Sequence, residues 1–135
     1  MISIRLISGR LSQEYAPAVQ DIEKRLHKYC KFETFQVKDN APAKEYLAKV
    51  KGALICLDDK GRQVTSTEFA QVIQKHQEIT FIIGGSEGIP LEVKQTAKET
   101  ISFGKMTFAH MLAQLMLTEQ VYRALTILKG EHYNK

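Results

Sequence analysis

The fold is decided by residues 53–88, which read ALICLDDKGRQVTSTEFAQVIQKHQEITFIIGGSEG. Two runs within this stretch, residues 53–57 and 79–83, are continuously apolar without alternation, which is typical of strands buried on both faces of a parallel sheet. Between them, Thr65 and Glu68 stand in the capping-box pattern that opens a helix. The stretch therefore predicts a strand–helix–strand unit.

The N-terminal half continues this alternation of strands and helices. Residues 2–7 predict a short strand and residues 32–37 a second one, while apolar side chains between residues 11 and 29 recur at helical spacing. A turn at residues 39–42 leads to a short helix that ends near Gly52. This half therefore adds two strands and two helices to the unit.

The C-terminal segment follows the same order. A short helix follows Pro90, residues 100–103 form a last strand, and a final helix opens at Thr107 and runs to about Leu128, where Gly130 ends it. Strands thus alternate with helices along the whole chain. That order predicts an α/β domain with a mostly parallel sheet and helices on both faces.

Length, charge and cysteine content restrict the classes of function. The chain of 135 residues fits one domain, residues 1–135, and its net charge of +4 permits a polyanionic partner without requiring one. Neither Cys30 nor Cys56 belongs to a metal-ligand cluster, so we expect no metal. Arg5 stands where a signal peptide needs its apolar core, and no apolar run approaches a membrane span. We therefore expect a cytoplasmic protein that makes no membrane contact.

The final helix is apolar on more than one face. One stripe can pack on the sheet, and the remainder needs another cover, because a helix that is apolar all round must be buried. A second copy of the chain would supply that cover, so the pattern favours a homodimer, and burial within one subunit is the alternative. The apolar residues are Phe108, Met111, Leu112, Leu115, Met116, Val121, Tyr122, Leu125, Ile127 and Leu128.

Three loops that follow predicted strands converge on one edge of the sheet. Residues 84–88 form a glycine-rich loop, residues 57–61 close the preceding buried strand, and residues 103–108 close the last one. Ligands of open α/β sheets bind beyond the carboxyl ends of the strands, and glycines let backbone amides approach a ligand closely. We therefore expect a small ligand at this edge. The alternative for the glycine loop is a tight turn that needs positive φ.

Apolar side chains of these loops could form the walls of a ligand site, with backbone groups left to bind a flat ring. These side chains are Leu57, Phe103, Met106 and Phe108. Taken one at a time, each fits an ordinary core position better. The convergence of the three loops is what favours a ligand.

Polar residues near the C-terminus are the candidates for chemistry. His110 lies near the ligand edge, and a structural hydrogen bond is the alternative to a catalytic role. Glu119 and Arg123 are spaced to pair on the helix surface, yet a partly buried arginine also suits phosphate or carboxylate recognition. Residues 132–135 form either a frayed tail or a polar lid over a site. No Ser-His-Asp, Cys-His or paired-carboxylate arrangement is apparent in the sequence.

Five stretches of the sequence carry a resemblance to a known family. They are residues 57–61 (Leu-Asp-x-x-Gly), 81–88 (Phe-Ile-Ile-Gly-Gly-Ser-x-Gly), 102–110 (Ser-Phe-x-Lys-Met-Thr-Phe-x-His), 119–124 (Glu-Gln-Val-Tyr-Arg-Ala) and 130–133 (Gly-Glu-x-Tyr). In their order and spacing the chain closely resembles the ribosomal large-subunit methyltransferase H family, which belongs to the SPOUT class of knotted methyltransferases. The resemblance covers nearly the whole length.

The resemblance implies a homodimeric enzyme that uses S-adenosylmethionine to methylate N3 of a pseudouridine in 23S ribosomal RNA, on the assembled ribosome. It also implies a C-terminal trefoil knot, an exception to the rule that chains do not thread loops, with the cofactor bound in a bent form within it. His110, Arg123, Tyr133 and Lys135 would handle the RNA or orient the base. The cofactor contacts would fall at Leu57, Gly84, Phe103, Gly104, Lys105, Met106, Thr107 and Phe108.

An enzyme of this class does not need a catalytic triad. The sulfonium of the cofactor is already activated, so the protein mainly aligns the nucleophile with the methyl group. A general base would be needed only to deprotonate a ring nitrogen.

The chain departs from the family in four places. Ala109 stands where a proline usually precedes the histidine, Gln114 replaces an arginine, the tail ends on Tyr133-Asn134-Lys135 instead of Tyr-His-Arg or Tyr-His-Lys, and the region of residues 42–52 is shorter. None of these changes touches the glycine loop, but the first three touch the dimer-and-substrate side. The alternatives are therefore a related enzyme with another RNA target and a non-catalytic RNA- or ribosome-binding protein.

Overall fold

The computed structural model describes residues 1–85 and 87–134. The strands are β1 (Ser3–Ser8), β2 (Lys31–Gln36), β3 (Ala53–Gln63), β4 (Glu78–Ile83) and β5 (Glu99–Ser102). The helices are α1 (Ala16–Leu26), α2 (Ala43–Leu47), α3 (Ser66–Gln74), α4 (Leu91–Thr96) and α5 (His110–Leu128). The strands form one sheet in the order β2-β1-β4-β3-β5, and every neighbouring pair is parallel. The predicted α/β class with a parallel sheet is confirmed.

Helices cover both faces of the sheet, as predicted. The larger core joins one face to α1, α3 and α5, and a smaller core joins the other face to α2 and α4. Neighbouring residues of a strand point to opposite faces, so in β3 Ile55 belongs to the larger core and Cys56 to the smaller one. Burial raises the pKa of Cys56 to about 11 and that of Cys30 to about 12, which keeps both thiols protonated in the core.

Helix α3 begins as the sequence predicts. The Thr65 hydroxyl accepts a hydrogen bond from the Glu68 amide at 3.1 Å, and the Glu68 carboxylate accepts one from the Thr65 amide at 2.8 Å. This reciprocal capping box satisfies two amides that the first helical turn would otherwise leave without a partner. Phe69, Val72 and Ile73 of the helix are then buried against the sheet.

Strand β3 is longer than predicted. The sequence places a loop at residues 57–61, but the strand continues to Gln63 after a register shift between Leu57 and Arg62, and Arg62 and Gln63 pair with β5. Gly61 permits this pairing, because a Cβ there would lie 2.7 Å from the backbone of Ile101. The expected loop is therefore an irregular strand extension.

The first and last long helices both begin later than predicted. Helix α1 starts at Ala16, with Pro17 in its first turn, where a missing amide costs nothing. Helix α5 starts at His110 and not at Thr107; Ala109 precedes it in an extended conformation, and the Thr107 hydroxyl donates to Asp59. Residues 103–109 are thereby left as a segment that leads from β5 to α5.

Within residues 1–85 and 87–134, no helix is long and apolar enough to cross a membrane, and no group of three or more His, Cys, Asp or Glu side chains is placed to hold a metal ion. Ser86 of the expected glycine loop and Lys135 of the tail lie outside the described residues. The trefoil knot stays a prediction.

Candidate functional site

A cleft of about 490 Å³ lies at the carboxyl edge of the sheet. It is bordered by β3 at its register shift, by the ends of β4 and β5 and by the first turn of α5. The structure brings seven of the residues singled out from the sequence to this cleft. They are Leu57, Gly84, Phe103, Met106, Thr107, Phe108 and His110.

The glycine loop is a tight turn and also a wall of the cleft, so the two interpretations of residues 84–88 are compatible. The Gly88 amide donates to the Gly85 carbonyl at 3.0 Å, and Gly88 has a φ of +79°. A Cβ on Gly84 would lie 2.3 Å from the carbonyl carbon of Gly88 and 2.5 Å from the amide nitrogen of Ile89. Glycine at position 84 is therefore required by the closure of the turn itself.

Two carboxylates make one side of the cleft acidic. Partial burial raises the pKa of Asp58, but hydrogen bonds from the Lys94 side chain and from the Lys60 amide outweigh burial and lower that pKa to about 2. Asp58 forms an ion pair with Lys94 of α4. Asp59 accepts a hydrogen bond from the Thr107 hydroxyl at 2.7 Å. At neutral pH Asp58 is therefore ionised beside the cleft.

Residues 103–108 run across the cleft, and hydrogen bonds fix this segment at both ends. The Gly104 amide donates to the Ser102 hydroxyl at 3.0 Å, and Thr107 is bound to Asp59. Between these two anchors, Lys105 and Met106 are exposed, and the Met106 side chain is 76% accessible. Gly104 and Lys105, two of the expected cofactor contacts, lie in this segment but do not line the cleft. Phe103 and Met106 do line it.

His110 contacts a loop that the sequence analysis did not single out. Its Nε2 atom lies 3.2 Å from the carbonyl oxygen of Arg10, and a Cβ on Gly9 would touch both the His110 ring and Gly85 at 3.4 Å. Because a carbonyl can only accept, Nε2 donates this bond and Nδ1 is left free of it. The loop after β1 therefore borders the cleft. The sequence pattern that could have indicated this is Ser8-Gly9, which ends a strand of the same parallel sheet.

Arg123 and Tyr133 do not lie at the cleft of their own chain. Arg123 is thirteen residues beyond His110 in α5, a distance of about 20 Å along a helix axis. Its guanidinium donates to Glu119 and to Asn134, both at 3.0 Å, and stacks 4.8 Å from the centroid of the Tyr133 ring. The expected Glu119–Arg123 pair is thus present.

The C-terminal tail folds back on α5. The Tyr133 hydroxyl donates to Glu119 at 2.8 Å, and the Tyr133 ring packs edge-on against Tyr122, with centroids 4.8 Å apart. Upstream, Tyr29 donates to Glu131 at 2.6 Å. The described part of the tail is therefore neither frayed nor a lid over the cleft of its own chain, because these contacts attach it to the far end of α5.

Comparison with known proteins agrees with this architecture. A family model described as a predicted SPOUT methyltransferase matches residues 1–134. Ribosomal RNA large subunit methyltransferase H of Anaeromyxobacter sp. (strain Fw109-5) is 39% identical over 138 residues and covers 90% of each chain. The protein of the same name from Latilactobacillus sakei subsp. sakei (strain 23K) is 40% identical over 159 residues, covering 99% of this chain and 100% of the relative.

A third relative aligns with this chain over the same length. Ribosomal RNA large subunit methyltransferase H 1 of Clostridium perfringens (strain SM101 / Type A) is 38% identical over 159 residues, covering 99% of this chain and 100% of the relative. That aligned span exceeds the 135 residues of the chain, so this chain lacks residues that the relative has. Because a family model matches almost the full length and relatives of 38–40% identity cover at least 90% of it, this chain belongs to the SPOUT methyltransferase family.

Proposed function

We propose that this protein is an S-adenosylmethionine-dependent methyltransferase of 23S ribosomal RNA, which methylates N3 of a pseudouridine on the assembled ribosome in the cytoplasm. The observation that carries the proposal is the cleft at the carboxyl edge of the sheet in a chain of the SPOUT methyltransferase family. The names of the relatives, all ribosomal RNA large subunit methyltransferases, supply the class of substrate.

The cleft fits the proposed cofactor in size and chemistry. Its volume of about 490 Å³ lies within the range of small-molecule sites, about 300–1,000 Å³. Apolar side chains can enclose a flat adenine. The carboxylate of Asp59, whose charge the Thr107 hydroxyl does not neutralise, suits a ligand that carries a cationic group. When bound, the cofactor supplies a methyl group on a positively charged sulfur. The residues that would hold it are Leu57, Gly84, Phe103, Gly104, Lys105, Met106, Thr107 and Phe108.

The chain's own contribution to the reaction is mainly alignment of the base with the cofactor, because the methyl group arrives already activated. His110 is the catalytic candidate that borders the cleft. Its Nε2 is engaged with the Arg10 carbonyl, so Nδ1 is the ring atom left to accept a proton from the target ring nitrogen.

The proposed assembly is a homodimer. Helix α5 packs against α1 and α3, which buries Leu117, Val121 and Leu125, yet Leu115 and Met116 remain only half-buried. These last two residues line a groove of about 610 Å³ between α1, α3 and α5. A second copy of the chain would cover the groove. It could also bring Arg123 and Tyr133 to the cleft of the partner chain, since both residues lie far from the cleft of their own chain.

A single labelling experiment tests the function. The protein is incubated with methyl-labelled S-adenosylmethionine and ribosomes isolated without this methylation, and the labelled nucleotide is mapped. We expect label on N3 of a pseudouridine in 23S RNA from assembled ribosomes, and much less on naked 23S RNA. Label on another nucleotide would indicate a related enzyme with another target, and cofactor binding without transfer would indicate a non-catalytic protein. Either result would overturn the proposal.

A further inference from the structure

Arg10 lies beside the cleft without being part of its walls. It directly follows Gly9, which packs against Gly85 and the His110 ring, and its own carbonyl accepts the hydrogen bond from His110 Nε2 at 3.2 Å. Both Gly85 and His110 line the cleft. The backbone of Arg10 is therefore in contact with the start of α5, and that of the preceding Gly9 lies against the β4 loop, both beside the cleft.

The loop that carries Arg10 is anchored on α5 and on the start of α1. The Ser12 amide lies 3.2 Å from the Met111 sulfur, and the Ser12 carbonyl accepts hydrogen bonds from the amides of Tyr15 and Ala16 at 3.2 and 3.0 Å. Together with the His110 bond, these contacts fix the backbone on both sides of Arg10. A charged side chain on an anchored backbone loses less conformational freedom when it binds a ligand.

The Arg10 side chain is exposed, and no carboxylate of residues 1–85 and 87–134 lies within ion-pair distance of it. The nearby Glu14 carboxylate accepts a hydrogen bond from Ser12 at 2.5 Å, which holds it on the loop. The acidic groups of the cleft are engaged as well, Asp58 with Lys94 and Asp59 with Thr107. Arg10 is therefore an exposed cation beside the cleft without an ion pair among the described residues, although the Ser12 hydrogen bond and, to a lesser extent, the charge of Arg10 lower the pKa of the nearby Glu14.

We propose that Arg10 binds a backbone phosphate of the RNA substrate next to the target nucleoside, and that His110 positions Arg10 through its carbonyl. The inference rests on the proposed function, since it needs an RNA substrate at this cleft. A guanidinium matches phosphate with two parallel hydrogen bonds, and phosphate contacts orient a nucleic acid without reading its sequence. Arg10 is thus a binding residue for the RNA, and His110 positions it through Nε2 in addition to the catalytic role proposed for Nδ1.

The first test is the salt dependence of methyl transfer to ribosomes. Arg10→Ala is expected to lower kcat/KM for ribosomes about tenfold and to reduce the slope of log kcat/KM against log salt concentration by about one, the effect of losing one phosphate contact. Arg10→Lys keeps the charge and should retain most of the slope. Calorimetric affinity for S-adenosylmethionine should equal that of the wild type in both variants.

The matched control is Arg25→Ala, which removes an exposed arginine of α1 that pairs with Asp21. It should leave kcat/KM and its salt slope unchanged. If Arg10→Ala melts at the wild-type temperature but keeps the wild-type slope, the phosphate assignment is overturned. An equal loss of slope in Arg25→Ala would also overturn it, because the effect would then be one of overall charge. Wild-type protein without any transfer to ribosomes would instead refute the proposed function.

The role of His110 is tested with two substitutions. His110→Gln offers an amide that can still donate to the Arg10 carbonyl, whereas His110→Ala cannot. In these variants the salt slope is that of ribosome binding, which does not depend on a proton acceptor. We expect His110→Ala to lose the same increment of this slope as Arg10→Ala, and His110→Gln to keep it. The double variant with Arg10→Ala should lose no more slope than Arg10→Ala alone, as coupled residues do. A wild-type salt slope in His110→Ala would overturn the positioning role.

Discussion

Gly84 is a residue whose side chain is excluded by the backbone of its own loop. In Gly84→Ala the new Cβ would meet the carbonyl carbon of Gly88 at 2.3 Å, and backbone on both sides would have to move. We expect a lower melting temperature and at least a tenfold loss of calorimetric affinity for S-adenosylmethionine, because the displaced turn is a wall of the cleft. Gly9→Ala is the control, since its Cβ would make contacts of 3.4 Å. Full affinity in Gly84→Ala would contradict the geometry of the turn.

Asp58 offers a prediction about pH. Its pKa of about 2 lies below the ordinary 3.8, so its ion pair with Lys94 stabilises the fold above pH 4, and the stabilisation is lost as pH falls toward 2. In Lys94→Met, we expect the carboxyl pKa to rise in an NMR titration and the free energy of unfolding at pH 7 to fall by about 1 kcal/mol, a modest value because the pair is partly exposed. The difference from wild type should shrink below pH 4. A difference that does not depend on pH would indicate lost packing instead.

Single residues of the site were predictable where a general rule of parallel sheets applies to them. Leu57 ends the apolar run of β3, and Phe103 and Phe108 follow β5, so the rule that ligands bind at carboxyl ends brought them together. Arg10 follows a strand too and could have been found in the same way. The Asp59–Thr107 hydrogen bond could not, because it joins residues 48 positions apart, and no local pattern marks it.

Helix α3 depends on its capping box. Thr65→Ala removes the hydroxyl that accepts from the Glu68 amide, and we expect it to lower the free energy of unfolding by about 1 kcal/mol in urea denaturation at one protein concentration. Thr65→Ser keeps the acceptor oxygen and should lie close to wild type. If both variants lose the same amount, the threonine methyl group and not the cap would be the source of the stability.

The boundaries of elements were less predictable than their existence. Residues 58–63 are polar with one glycine, a local pattern typical of a loop, and only their pairing with β5 makes them a strand. Thr107 has the side chain of a helix cap, but it is bound to Asp59 on β3, and the helix starts at His110 instead. In both cases a contact that is distant in the sequence overrides local preference, so no window of residues could have revealed it.

At the scale of the whole molecule, the groove between α1, α3 and α5 predicts a dimer in solution. Leu115→Glu places a charge in this groove, and we expect the variant to sediment as a monomer at micromolar concentration while wild type sediments as a dimer. Leu91→Glu is the control, because Leu91 lies on α4, against the opposite face of the sheet, and is 64% exposed. A monomeric wild type would refute the dimer.

A dimer in which one chain supplies Arg123 to the cleft of the other makes a stricter prediction. Gly84→Ala distorts the cleft, and Arg123→Ala removes the guanidinium that the other chain supplies to it. Each homodimer should therefore be inactive. In a mixed dimer, the intact cleft of the Arg123→Ala chain receives the intact Arg123 of the Gly84→Ala chain, and one site works. Random pairing makes half of the dimers mixed, so coexpressed chains should show about a quarter of wild-type methyl transfer. If Arg123 acted only within its own chain, both sites of a mixed dimer would carry a defect, and coexpression would restore nothing.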